Sequence, residues 1–215
     1  MPIDISGEHL RLAASALQRD YAGLAVSPLV ADYTRGLSLP AKSPGAGQRV
    51  GFFPGSTIGN FTPHEALRFL RLAARELRGG ALLLGADLIK DPQVLHAAYN
   101  DGQGVTAAFN LNLLARANRE LQADFELAQF AHSAFYNAPL QRIEMHLLSR
   151  RRQPVTVCGR RFEFEEGETL HTENSYKFTV AGLRSLAQQA GFTAGPAWTD
   201  PQHLFSLHWL TAPKE

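Results

Sequence analysis

The sequence predicts an α/β protein with a doubly wound sheet, and two observations lead to this class. Apolar strand patterns alternate with amphipathic helix patterns over residues 1–89, an order typical of parallel sheets covered by helices. Residues 81–89, ALLLGADLI, form a nearly continuous apolar run, which is typical of a strand buried on both faces. The pattern changes over residues 90–178, and residues 179–215 return to a helix followed by two strands. We therefore expect a core of residues 1–89 and 179–215, interrupted by an inserted α+β unit.

The chain opens with three strand patterns. Residues 2–6, PIDIS, form the end of a strand pattern, and Ser6 is a candidate cap for the helix pattern of residues 7–21. Residues 24–33, LAVSPLVADY, form the second strand pattern, and residues 49–53, RVGFF, form the third. Each strand pattern is followed by turn-forming or helix-capping residues, as strands of an α/β sheet require.

The remaining elements follow in order. Residues 38–48 are a loop rich in Pro, Gly and Ser, and residues 63–80 form a helix with Pro63 in its first turn and a Gly-Gly stop. Residues 91–130 are mainly helical, and residues 140–178 alternate as antiparallel strands do. A helix over residues 179–192 and two strands within residues 195–212 complete the chain.

Composition excludes several classes of protein. Hydrophobic residues make up 45% of the chain and charged residues 19%, which is typical of a globular domain. The net charge of +1 gives no signal for nucleic-acid binding, and no apolar run reaches the roughly 18 residues of a membrane span. Cys158 is the only cysteine, so no internal disulfide can form. The eight histidines include no HxH or HxxxH spacing, so we expect a cytoplasmic protein with no metal, nucleic-acid or membrane partner.

Acidic and aromatic residues mark the carboxyl ends of the predicted strands, where α/β sheets bind ligands. Asp4 ends the first strand, Asp32 and Tyr33 end the second, and Asp87 ends the fourth. A carboxylate at such a position can bind a ribose diol, and an acidic-aromatic pair can bind adenine. The alternative is that these carboxylates only cap the helices that follow.

The loop GSTIGN, residues 55–60, follows the third strand and is suited to a small polar ligand. Gly55 and Gly59 allow the backbone to approach a ligand closely, and Asn60 offers both an acceptor and donors for an amino-acid-like group. The loop lacks the lysine of a phosphate-binding loop, which argues against a nucleotide triphosphatase. A plain turn is the alternative.

The segment HTENSYKF, residues 171–178, places Glu173 and Ser175 on the same face of a strand. A carboxylate beside a hydroxyl can recognise a hydrogen-bonding group such as imidazole or ammonium. A solvated sheet surface is the alternative for this pair. Met145, in RIEMHL, suits the protein core as well as a binding site.

These segments together resemble one family. PIDIS, VADY, FFPGSTIGNF, LLLGADLIKD, AAYNDGQGVTAAFNLNLLARANRELQADF, RIEMHL and HTENSYKF, in this order, resemble the histidine-specific, S-adenosylmethionine-dependent Nα-methyltransferases that make hercynine on the route to ergothioneine. The resemblance runs from Pro2 almost to the C-terminus. It implies a class I, Rossmann-like sheet whose residues 90–178 bind the substrate.

The resemblance also implies roles for individual residues. It places Asp4 at the cofactor ribose and Asp32 with Tyr33 at the adenine. For the substrate, L-histidine, it implies that the α-amino and carboxylate end and the imidazole are bound by separate groups. Asn60 and Tyr99 would hold the α-amino and carboxylate end, with Gly55 and Thr57 lining the floor. Glu173 and Ser175 would bind the imidazole, and Met145 would pack on it. No residue is implied as a catalytic acid or base, because methyl transfer depends on positioning.

The same resemblance implies an incomplete sheet. Family members carry a further N-terminal part that includes a central strand with a glycine-rich cofactor loop, and the whole protein would act as a monomer. We therefore expect unpaired sheet edges and weak cofactor binding by this chain alone. Three explanations stay open: a misplaced gene start or a frameshift, a deliberate fragment, or one half of a split enzyme whose complementing N-terminal chain is a partner. Two other functions stay open: a non-catalytic amino-acid-binding remnant, and a methyltransferase for another amino acid.

Overall fold

The computed structural model describes residues 1–41 and 45–214. The predicted loop of residues 38–48 falls partly on residues 42–44, which lie outside the described residues. The strands are β1 (Ile3–Asp4), β2 (Leu29–Val30), β3 (Val50–Phe53), β4 (Ala81–Asp87), β5 (Phe130–Asn137), β6 (Arg142–Ser149), β7 (Gln153–Val157), β8 (Arg160–Phe164), β9 (Thr169–Tyr176), β10 (Thr193–Thr199) and β11 (Phe205–Thr211). The α-helices are α1 (Gly7–Asp20), α2 (Pro63–Glu76), α3 (Pro92–Tyr99), α4 (Val105–Leu121) and α5 (Val180–Gln189), and 3-10 helices span Thr57–Asn60 and Leu127–Gln129.

The largest sheet has four strands in the order β10-β11-β4-β3. Strand β3 runs parallel to β4, whereas β11 runs antiparallel to it, so β4 is paired on both sides. Within β4, all residues except Leu83 and Asp87 are buried, and Leu82, Leu84 and Ala86 lie in one cluster with residues of α2 and α5. The mixed α/β sheet with a parallel pair confirms the predicted fold class.

Helix α2 begins where its sequence predicts. Pro63 occupies its first turn, and Thr62 and Glu65 form a capping box in which each side chain accepts a hydrogen bond from the other's backbone N–H. The apolar face of α2 packs with α5 in one buried cluster, where Leu70 and Leu183 have no exposed surface. This cluster attaches both helices to the four-stranded sheet.

Strands β1 and β2 form a separate, two-stranded parallel sheet. Only Leu29–Val30 of the predicted second strand are in strand conformation. Strand β3 pairs with β4 alone among the described residues, and its Val50 and Phe52 are 52% and 69% exposed. Beyond β2, the Tyr33 ring packs edge-on against Phe53, with ring centroids 5.7 Å apart. Strand β3 is therefore one edge of the four-stranded sheet among the described residues.

The remaining strands form an antiparallel sheet in the order β5-β6-β9 and a hairpin of β7 and β8. Helix α4 packs on this sheet through Leu114 against Leu147, and α3 packs through Leu95 against Ile143. These contacts cover one face of the three-stranded sheet and give it a core of its own.

The two larger sheets meet at the carboxyl end of β4. The Phe178 N–H donates to the Asp87 carbonyl at 3.0 Å, and Leu88 bridges Phe178. The end of β9 therefore lies beside the end of β4, at the edge where α/β sheets bind ligands. Across the described chain, no helix combines the length and the apolar character that a membrane crossing requires.

Candidate functional site

A pocket of about 290 Å³ opens where the ends of β4 and β9 meet. This is close to the lower limit of the volumes typical of small-molecule sites. The residues that line it are Gly55, Ser56, Thr57, Asn60, Asp87, Tyr99, Glu173, Ser175, Lys177 and Phe205. Six of the seven predicted substrate residues thus line one pocket, although they come from three separate segments of the sequence.

The loop after β3 is attached to both neighbouring strands. Ser56 adopts a left-handed backbone conformation with φ of 57°, and its Oγ accepts a hydrogen bond from the Asp87 N–H at 2.9 Å. A Cβ at Gly59 would lie 2.8 Å from the Tyr176 carbonyl oxygen, so glycine is needed for packing against β9. The small residues of this loop therefore position the loop, and Gly55 is left exposed at the pocket.

A cluster of hydrogen bonds lies on one wall of the pocket. The Tyr99 hydroxyl donates to Ser175 Oγ at 2.8 Å, and Lys177 Nζ donates to Tyr99 Oη at 2.9 Å and to Ser175 Oγ at 2.8 Å. Lys177 Nζ also lies 2.8 Å from Asp87 Oδ2. Asp87, in turn, binds the Lys90 ammonium through its other oxygen. Polar groups from β4, α3 and β9 are thereby held in fixed positions.

The Glu173 carboxylate faces the same pocket without a protein partner, since none of the hydrogen bonds between described residues involves it. Burial raises the pKa of Glu173 above its ordinary value, and the Lys177 charge opposes this rise. A partly buried carboxylate without a donor is suited to accept a hydrogen bond from a ligand.

Met145 is the predicted substrate residue that does not line the pocket. It is 2% exposed and lies in a cluster with Leu95, Ala134 and Ile143. It pairs directly with Glu173 across β6 and β9. Met145 therefore belongs to the core beside β9, the strand that carries the Glu173 carboxylate.

The predicted cofactor residues form a second group outside this pocket. Asp4 Oδ1 accepts the N–H of Ser6, the residue before α1, at 2.7 Å, and the Ser6 side chain itself makes no capping hydrogen bond. Asp32 Oδ1 accepts from the Thr34 N–H and hydroxyl, and these bonds hold the pKa of Asp32 below its ordinary value. Burial, together with the charges of Asp4 and Asp32, raises the pKa of Tyr33. The three residues thus lie together at the carboxyl end of β1 and β2.

Sequence reasoning missed Lys177, Ser56 and Phe205 as pocket residues. Lys177 lies two residues after Ser175, so the alternation that selected Glu173 and Ser175 also selects this lysine. Phe205 begins β11 and reaches the pocket only because that strand pairs with the end of β4. The sequence contains no local signal for such a contact.

A possible ligand set for a metal lies outside the pocket. Glu144, His146 and His171, on neighbouring strands, place one ligand atom each within 4.8 Å of one another. Cross-strand pairing brings them together, which the search for HxH and HxxxH spacing could not reveal. The Arg142 guanidinium already binds the Glu144 carboxylate at 2.7 Å and disfavours a second cation there.

Comparison with known proteins adds three findings. The family model described as histidine-specific, S-adenosylmethionine-dependent methyltransferase matches residues 1–212. A protein of Mycolicibacterium smegmatis named histidine N-alpha-methyltransferase is 42% identical over 210 residues, which are 96% of this chain and 64% of that protein. Ergothioneine biosynthesis protein 1 of Neurospora crassa is 42% identical over 150 residues, 62% of this chain and 16% of that protein.

The fold is also found among solved structures. The CcbJ methyltransferase from Streptomyces caelestis superposes with a TM-score of 0.53 at 15% identity, covering 98% of this chain and 78% of that one. This likeness shows that the α/β fold is that of the class I methyltransferases. The chain spans 64% of the length of the M. smegmatis relative.

Proposed function

Because the chain belongs to the family of histidine-specific, S-adenosylmethionine-dependent methyltransferases, we propose that it forms the histidine site of such an enzyme. The reaction transfers methyl groups from S-adenosylmethionine to the α-amino nitrogen of L-histidine. Three transfers give trimethylhistidine (hercynine), which serves ergothioneine biosynthesis. The observation that carries the proposal is the single pocket that gathers Asn60, Tyr99, Glu173 and Ser175.

The polar groups of the pocket match the two ends of histidine. Glu173, which has no donor among the described residues, accepts a hydrogen bond from an imidazole N–H, and Ser175 lies on the same wall. Asn60 and Tyr99 hold the α-amino and carboxylate end, with Gly55 and Thr57 as the floor. Met145 is the cross-strand partner of Glu173. Residues 90–178 thereby act as the substrate-binding insertion of the core formed by residues 1–89 and 179–215.

Positioning accounts for the chemistry. The sulfonium of S-adenosylmethionine supplies an already activated methyl group, so the protein has to align the amine lone pair with the S–CH₃ bond. The amine attacks only in its unprotonated form, and the α-amino group of a free amino acid, which has a carboxylate beside it, is more basic than the roughly 7.7 to 8.0 of a chain terminus. The cationic sulfonium beside the amine lowers this pKa, and we propose no residue as a strong base.

Asp4, Asp32 and Tyr33 suit the adenosyl part of the co-substrate. Asp4 has one oxygen bound to the Ser6 N–H, which leaves the other for the hydroxyls of a ribose. Tyr33 offers an aromatic face beside Asp32, at the end of the neighbouring strand.

We further propose that the cofactor half is completed by a complementing polypeptide. Strand β3 has an open edge and exposed apolar side chains, and the β1–β2 pair is hydrogen-bonded to no other strand among the described residues. An open edge strand pairs readily with another strand. The occupant we propose is a strand from the part of such an enzyme that this chain does not span, and without it the chain binds S-adenosylmethionine weakly.

Mass spectrometry tests the proposed reaction. The chain is incubated with S-adenosylmethionine and histidine, alone and with the N-terminal part of the M. smegmatis relative added as a separate polypeptide. We expect trimethylhistidine only in the combined sample. The absence of methylated histidine there, while the intact relative is active in parallel, would contradict the proposal.

The same assay separates the alternatives. Tryptophan, tyrosine and other imidazole compounds replace histidine in the combined sample. Methylation of one of them in preference to histidine would favour a different amino-acid substrate. Binding of histidine without any methyl transfer would favour a non-catalytic remnant.

A further inference from the structure

Lys177 is a buried cation in the wall of the candidate site, and the proposed function gives it no role. Its side chain has no exposed surface. An ammonium has three N–H donors, and three acceptors surround this one: Tyr99 Oη, Ser175 Oγ and Asp87 Oδ2. Burying an ammonium with fewer partners is unfavourable, so these three acceptors stabilise Lys177 inside the protein.

The charges around Lys177 do not cancel within its own cluster. Asp87 is shared between Lys177 and Lys90, which leaves one net positive charge beside the pocket. The titratable groups that line the pocket with Glu173 are Asp87, Tyr99 and Lys177. The excess charge therefore favours an ionised Glu173 against the effect of its burial.

Lys177 also determines which hydroxyl hydrogens, on Tyr99 or Ser175, remain available to bond a ligand. Because an ammonium only donates, both hydroxyl oxygens, on Tyr99 and Ser175, accept from it. The two oxygens are 2.8 Å apart, so one hydroxyl donates to the other. In the described part of the chain neither hydroxyl donates elsewhere. One hydroxyl hydrogen is left for a bound molecule.

We propose that Lys177 is a positioning residue that makes the pocket selective for a neutral imidazole. Under its influence the pocket presents one acceptor, the Glu173 carboxylate, and one hydroxyl donor, Ser175, because the Tyr99 hydroxyl donates to Ser175 Oγ. A neutral imidazole has one N–H donor and one acceptor nitrogen, whereas an indole has only a donor. An imidazolium has two donors and would meet a hydroxyl donor beside a cation. This inference rests on the proposed histidine site and assigns its selectivity.

The test compares Lys177→Met with Lys90→Met in the chain as it exists. Both substitutions remove a lysine bound to Asp87, but Lys90 contacts neither hydroxyl and does not line the pocket. Histidine and tryptophan affinities are measured by NMR titration, and the ¹³C signal of the Glu173 carboxyl is followed against pH. Thermal unfolding reports whether each variant is folded.

We expect Lys177→Met to weaken histidine binding at least about tenfold, which is the loss typical of a hydrogen bond to a charged group. It should weaken tryptophan binding less and move the Glu173 titration to higher pH. Lys90→Met should have the smaller effect on both. Equal losses in the two variants with an unchanged Glu173 titration would overturn the proposal, because Lys177 would then only support the fold.

Two further results keep the inference separate from the proposed function. If the wild-type chain binds no histidine, the proposed site fails, while the Glu173 titration still decides whether Lys177 controls the charge of the pocket. If Lys177→Met does not fold, a measurement on the wild-type chain tests the proposal instead. The ¹⁵N signal of the Lys177 ammonium should shift when histidine saturates the site, and no shift at saturation would overturn the proposal.

Discussion

The two halves of the candidate site differ in how firmly the chain holds them. The predicted substrate pocket lies between two sheets whose strands are joined by backbone hydrogen bonds, and its Lys177 side chain is completely buried. The predicted cofactor residues lie at the end of a sheet of two strands with two paired residues each. Tyr33 attaches that sheet through aromatic contacts with Phe53 and Phe69.

The difference shows that the two halves depend on different parts of the structure. The substrate pocket needs only segments that this chain contains, namely the loop after β3, the end of β4, α3 and β9. The predicted cofactor residues are held by a sheet with few hydrogen bonds. Apolar side chains such as Ile5 and Phe52 are exposed in this part of the molecule. Three predictions test this comparison, beginning with the largest expected effect.

Amide hydrogen exchange should differ most between the two regions. Amides of β4 are paired on both sides within the main core, whereas those of β1 and β2 belong to a two-stranded sheet. We expect exchange in β4 to be roughly a thousandfold slower, because local opening of β1 and β2 requires far less free energy. Mass spectrometry of peptic peptides measures this. Equal protection would remove the distinction between the two halves.

The substitution Glu173→Gln should weaken histidine binding roughly 10- to 100-fold, because it removes a charged acceptor without changing the shape of the side chain. Calorimetric titration measures the effect. Glu163→Gln is the matched control, since Glu163 is an exposed strand residue that binds Arg161. An equal loss in both variants would remove Glu173 from the site.

Two carboxylates should respond differently to acid. Burial raises the pKa of Glu144, but hydrogen bonds from Arg142, Asn137 and His146 outweigh this and hold it at about 2, below the ordinary 4.5. A lowered folded-state pKa means that the stabilisation is present above pH 4.5 and is lost as the pH falls to about 2. Asp32 also has a lowered pKa, but its side chain is 38% exposed and is screened by solvent.

Urea unfolding across that pH range measures the difference. The wild-type free energy of unfolding should fall, and Glu144→Gln should remove on the order of 2 kcal/mol of this fall. Asp32→Asn should leave the fall nearly unchanged. If Asp32→Asn removed more of the fall in unfolding free energy than Glu144→Gln, the β1–β2 sheet would contribute more electrostatic stability than the β5-β6-β9 sheet.

Much of the fold could be predicted from local patterns. The continuous apolar run of β4, the Pro63 start of α2 and the alternation of β9 depend on sequence neighbours alone, and each is confirmed. The predicted second strand was too long, since only Leu29–Val30 find a partner, in β1. Strand length depends on pairing, which the local sequence does not contain.

The candidate site could be predicted only in part, because some of its contacts also depend on strand pairing. Glu173 and Ser175 follow from alternation, and Asn60 from the loop after a strand. The contribution of Phe205 depends on the pairing of β11 with β4, which joins residues more than a hundred positions apart. The role of Gly59 was predicted as an approach to a ligand, but the structure shows an approach to the Tyr176 backbone. Only the packing of one element on another determines such contacts.

The most direct test of the account is a pair of calorimetric titrations of the wild-type chain, one with L-histidine and one with S-adenosylmethionine. The account predicts that histidine binds to the isolated chain and that S-adenosylmethionine binds weakly until the complementing polypeptide is added. Tight binding of S-adenosylmethionine by the chain alone, without binding of histidine, would contradict it.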